Sequence, residues 1–233
     1  MGVLCGVDGC RDGWVAVFHD PANDVWGWRV SPSLDHLARV LPDASVIAID
    51  VPIGLPPEGP RACDVAARRL LGRRHSSVFP APIRPMLAAS SHAEACTIGR
   101  GIDGRGISLQ AWAILPKILE VDSAVRAQPE LRRRVREVHP EVCFHAMSGG
   151  RGMEHSKSKP PGRAERLALL HREFPGTVDR ALAERRSLHC ALDDLLDAFA
   201  ALWTACRIAR GIAVILPERP EYDAEGLPME MVA

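Results

Sequence analysis

The chain has 233 residues, 47% hydrophobic and 25% charged, with 29 basic and 29 acidic side chains. That is enough apolar material for an ordinary globular core, and zero formal charge excludes a global pull toward nucleic acid or membrane. Seven scattered cysteines without a C-x-x-C pair argue against a disulfide framework or a zinc ribbon. No apolar run is long enough to span a bilayer, so the expected location is the cytoplasm.

The segment Val3–Val17 reads as an apolar strand ending in Asp8, a tight turn, and a second strand from Trp14. Gly9 and Gly13 supply the positive φ angles that such a turn needs. Val25–Val30 is a third short strand, and Ser33–Leu41 is a capped helix. The run from Ser45 to Leu55 opens as a β-branched strand of the kind buried on both faces of a parallel sheet. It delivers a second carboxylate, Asp50, just before Pro52, which cannot continue a central strand.

Residues 56–106 differ in texture. Prolines bracket a helix near Asp64–Gly72, and Ser76–Pro82 reads as an ordered loop. Between Arg61 and Arg105 there are eight arginines against three acids. Such a segment is expected to lie over one end of the sheet as an insertion. Ser108–Val121 is a helix that Pro116 kinks or restarts. Arg134–His139 is a strand, and the Gly-, Ser- and Lys-rich stretch from Ser148 to Pro161 is a mobile connection. Arg163–Glu173 and Val178–Arg186 are amphipathic helices, Ala191–Ala209 is the longest helix, and Ile212–Leu216 is a last strand or an extended tail.

On the last helix Leu192, Leu195, Leu196, Phe199, Leu202 and Trp203 form one apolar arc. Asp194 and Asp197 are three apart and neighbour each other on the other side, which continues through Ala198, Ala201 and Ala205. A solvated face would carry long polar side chains there. Small residues beside paired acids point to close packing. The pair suits a metal ion, or else favours the positive end of the helix dipole. A fold that gathers Asp8, Asp50 and this pair must compensate like charges with a cation, and oxygen ligands select Mg²⁺ or Mn²⁺.

Several segments carry a specific resemblance: Gly6–Arg11, Asp50–Leu55, Arg61–Asp64, Ser76–Phe79, Gln110–Trp112, Pro116–Ile118, Glu137–Glu141 and Asp193–Trp203. The order of elements resembles the RNase H-like fold, and Asp194–Ala200 resembles the last acidic motif of the Holliday-junction resolvase branch. More closely, the chain resembles a family of predicted RNase H-like nucleases carried as a domain of unknown function. The resemblance implies an α/β fold, a mixed five-stranded sheet flanked by helices. It implies one domain over residues 1–233 with residues 56–106 inserted.

It also implies a hydrolase that cleaves phosphodiester bonds in nucleic acid with two divalent ions, Mg²⁺ or Mn²⁺. Asp8, Asp50 and Asp194 or Asp197 would be the metal ligands, and Glu141 a further ligand or a general base. Arg61, Arg68, Arg84, Lys117 and Lys157 are the candidates for substrate phosphates, each of which also reads as plain surface. His139 reads as a general acid or as structural, and Asp12 as a rival to Asp8. The partner expected is nucleic acid of unspecified type, without a membrane, and a homodimer is left open. Two alternatives remain: a nucleotide-binding enzyme of the actin and sugar-kinase type, and a non-catalytic binding module on the same fold.

Overall fold

The structure, a computed structural model, describes residues 2–233. Strands β1 (Val3–Cys10), β2 (Gly13–Asp20) and β3 (Val25–Ser31) form an antiparallel meander. β4 (Ala44–Ile49) then joins β1 in parallel, and β5 (Val135–Glu137) joins β4 in parallel. The five-stranded sheet therefore has the order β3-β2-β1-β4-β5, with β1 at its centre, as in the RNase H-like fold.

Both faces of this sheet are covered, and strand parity decides which residue goes where. Cys5 and Val7 of β1, with Ile47 and Ile49 of β4, point to one side. There they meet Leu34 and Leu37 of α1 (Leu34–Val40) and Ile118 and Val121 of α4 (Leu109–Ala127). Leu4, Val46 and Ala48 point to the other side, toward α9 (Leu192–Ala209). The same parity sends Asp8 and Asp50 to the α9 side. Around α9 lie α6 (Pro140–Met147), α7 (Pro160–Glu173) and α8 (Thr177–Leu188).

Residues 56–106 form α2 (Ala62–Leu71), two short 3₁₀ turns at Gly72–Ser77 and Arg84–Ala88, and α3 (His92–Asp103). The 3₁₀ turn corrects the reading of Ser76–Ser77 as loop. α3 has a legible start signal, since Ser91 accepts the N–H of Glu94 three residues on.

Other departures from the sequence reading have local causes. α4 runs through Pro116 without restarting and has 19 residues against 18 in α9, so α9 is not the longest helix. β5 keeps only Val135–Glu137, because Pro129–Arg134 forms α5 before it and His139 begins α6 after it. His139 caps α6, its Nδ1 accepting the N–H of Glu141 at 3.2 Å. The C-terminal end is a hairpin of β6 (Ile215–Tyr222) and β7 (Pro228–Val232), in a second sheet, not a single strand or a tail. Among the described residues no helix is long and apolar enough to cross a membrane.

Candidate metal centre

The end of β1, the residue after β4 and the second turn of α9 meet at one point. Asp8, Asp50 and Asp197 each place a carboxylate oxygen within 4.8 Å of the others. The backbone N–H of Asp50 donates to the carbonyl of Val7 at 2.9 Å, so the parallel pairing of β1 and β4 fixes the first two side by side. α9 crosses β1 on the same face and brings Asp197, which is 1% exposed. Asp8 accepts the N–H of Gly9 at 2.7 Å, which anchors one of its oxygens.

Gathering these groups out of water is costly. Burial, then the charges of Asp50 and Asp197, holds the Asp8 carboxyl well above the usual range. Burial also raises Asp50. It pushes Asp197 up to about 6, even against the ammonium of Lys157. Lys157 Nζ lies 2.5 Å from Asp197 Oδ2. Burial works against the lysine's charge, but Asp197 overcomes it and raises Lys157 above its ordinary value. One ammonium does not balance three carboxylates, and the three ligand atoms that converge are all carboxylate oxygens. The set fits a hard divalent cation.

Asp8 and Asp50 line a cleft of about 540 Å³, with Asp197 buried behind them. Lys117, Lys157 and Glu141 line it, with Phe79 and Ser156 among the residues of its walls. Glu141 is 5% exposed. Its Oε1 accepts from Arg166, while its Oε2 is buried without a hydrogen-bond partner. Arg74 Nε is 3.7 Å from that oxygen. Lys117 lies over the Trp14 ring, 4.4 Å from its centre, and donates to the carbonyl of Gly13.

The structure separates the two acids that the sequence left equivalent. Asp197 joins Asp8 and Asp50, whereas Asp194 is outside the trio and accepts the N–H of Ala191 at 3.3 Å at the start of α9. Asp12 is exposed in the β1–β2 turn.

Three of the five candidate phosphate-binding cations are engaged within the chain itself. Arg61 is 2% exposed; it grips Glu137 with both arms at 2.7 Å and Asp64 at 2.5 Å. Arg84 bonds Asp122 at 2.8 Å and Asp223 at 2.5 Å. Arg68 donates to the carbonyls of His75 and Val78. Apart from Asp64, which follows Arg61 by three residues, the partners lie elsewhere in the chain or are backbone, so each looked like a surface charge. His139 Nε2 faces the carbonyl of Ser77 at 3.2 Å. Sequence reasoning missed Arg166, which sits on an ordinary amphipathic helix and carries no motif.

A family model described as Protein of unknown function (DUF429) matches residues 6–222. No curated protein and no solved structure matches the chain.

Proposed function

The chain belongs to the DUF429 family, and from that membership and the site geometry we propose that it is a divalent-metal-dependent hydrolase of phosphodiester bonds in nucleic acid. The observation that carries this reading is the convergence of Asp8, Asp50 and Asp197 at the ends of the two central strands. The RNase H-like strand order supports it, because the sheet presents its acids at the strand ends beside an open cleft. Fold alone would not suffice.

In this reading Asp8, Asp50 and Asp197 hold Mg²⁺ or Mn²⁺. The ion supplies positive charge for the attacked phosphate and makes water more acidic. Lys117 and Lys157 add ammonium charge on the cleft side, which draws a phosphate in and offsets the charge that builds on it. Glu141 is fixed by Arg166 and keeps one oxygen without a partner, which suits it to take a proton from water. It lies near enough to the trio for its charge to raise Asp197.

The test is cleavage by purified protein of single-stranded and duplex RNA and DNA, a hybrid and a branched junction. Products are expected only with Mg²⁺ or Mn²⁺, and none from Asp8→Asn. A wild type inert on every substrate, or an Asp8→Asn variant with full activity, would overturn the reading.

A further inference from the structure

Lys157 is a positive charge that the chain itself delivers to the acidic trio. It stands in the irregular connection between α6 and α7, where a lysine is ordinarily loose in solvent. The sequence pattern predicts mobility there, yet the segment is fastened at several points. Gly162, in the first turn of α7, passes so close beneath it that a Cβ would fall 2.1 Å from the carbonyl oxygen of Ser156. Arg166 is 1% exposed and donates to the carbonyls of His155 at 3.3 Å and Gly162 at 2.7 Å. Its other arm holds Glu141. The N–H of His155 donates to Glu165 at 3.0 Å, and that of Lys159 to the carbonyl of Ser156 at 3.0 Å. The chain on both sides of Lys157 is therefore tied to α7, and the fold sets where the ammonium sits.

We propose that Lys157 is a resident cation standing in for a second metal ion, so that the centre holds one divalent ion per chain. This rests on the metal-centre reading above and replaces the two ions expected from sequence. Three carboxylates with one ammonium leave two negative charges, which a single divalent ion neutralises. A second ion would leave a positive excess beside the buried carboxylates of Asp8 and Asp197, which is costly without partners. The count is of the three carboxylates and the lysine that pairs with one of them; around them Asp194 acts on Asp8, His139 on Asp50 and Glu141 on Asp197, and Glu141 is itself held by Arg166 with Arg74 3.7 Å from its other oxygen. Geometry agrees, because Asp197 Oδ2 is occupied by the lysine and that residue has one oxygen left to offer. A substrate phosphate would meet an ammonium where a second ion would otherwise stand.

The test counts ions directly. Full-length protein, stripped of metal, is titrated with Mn²⁺ by calorimetry, with free Mn²⁺ followed by electron paramagnetic resonance. Wild type is expected to bind one ion per chain. Lys157→Met, similar in length and uncharged, is expected to bind two, with the exchange-broadened spectrum of a coupled pair. Lys157→Gln serves as a second neutral variant, and circular dichroism checks that both fold. Asp8→Asn is expected to bind none. Two ions in the wild type, or one ion in a folded neutral variant, would overturn the inference and leave the metal centre standing. A wild type that binds no Mn²⁺ would overturn both.

Discussion

Gly6 on β1 passes so near α9 that a Cβ on it would fall 2.2 Å from the carbonyl oxygen of Ala198 and 2.0 Å from the amide nitrogen of Leu202. These are backbone atoms and cannot rotate aside. The contact sets the separation between the strand that carries Asp8 and the helix that carries Asp197.

Gly6→Ala should therefore destabilise the protein and loosen the centre together. Overpacking of this kind costs about 1–3 kcal/mol and sometimes more. The midpoint of urea unfolding should fall accordingly, and Mn²⁺ affinity should fall with it because α9 must lift from β1. An unchanged midpoint would show that the helix does not rest on Gly6.

Asp194 and Asp197 should behave differently although they are three residues apart. Asn can still accept the Ala191 N–H, so Asp194→Asn should leave Mn²⁺ affinity within about twofold and stability within about 0.5 kcal/mol. Asp197→Asn removes a proposed ligand and the partner of Lys157. It should weaken Mn²⁺ binding by about a hundredfold or more, since losing even a residue that only supports a ligand costs 10–100-fold. Equal losses in the two variants, read by calorimetry, would contradict the assignment.

Arg61→Met should act on stability rather than on substrate affinity. It leaves Glu137 and Asp64 buried without their cation, a loss of about 3–5 kcal/mol. Denaturant unfolding measures it. A surface arginine that touched only substrate would shift the midpoint by about 0.5 kcal/mol or less and would instead raise KM.

The acidic trio should make the metal-free protein pH-sensitive in one direction. Burial raises Asp8, Asp50 and Asp197 above their ordinary value of 3.8, so the folded state binds these protons more tightly than the unfolded state. That contribution is full below 3.8 and is lost as pH rises through about 6, the value for Asp197. With chelator present, wild type should lose stability relative to Asp8→Asn between about pH 4 and pH 7. Mn²⁺, which Asp8→Asn is expected not to bind, should stabilise wild type alone and reverse the difference as pH rises. A gap that stays constant with pH would exclude the trio as its source.

The local elements were legible because they are written in neighbouring residues. The apolar runs of β1 and β4 marked the strands and the carboxylates at their ends. The spacing of Leu192, Leu195 and Phe199 gave α9. α3 was not read, although Ser91 and Glu94 carry its start signal within the proline-rich segment.

What the sequence could not decide was which charge answers which. Arg61 meets Glu137 across 76 positions and Arg84 meets Asp223 across 139; the one local partner, Asp64 three residues after Arg61, is a spacing that surface arginines share. Asp194 and Asp197 share a helix side on any wheel, and only the crossing of α9 over β1 chooses between them. Period and propensity act over a few residues, whereas the pairing of charges depends on distances that exist only once sheet, helices and connections are packed.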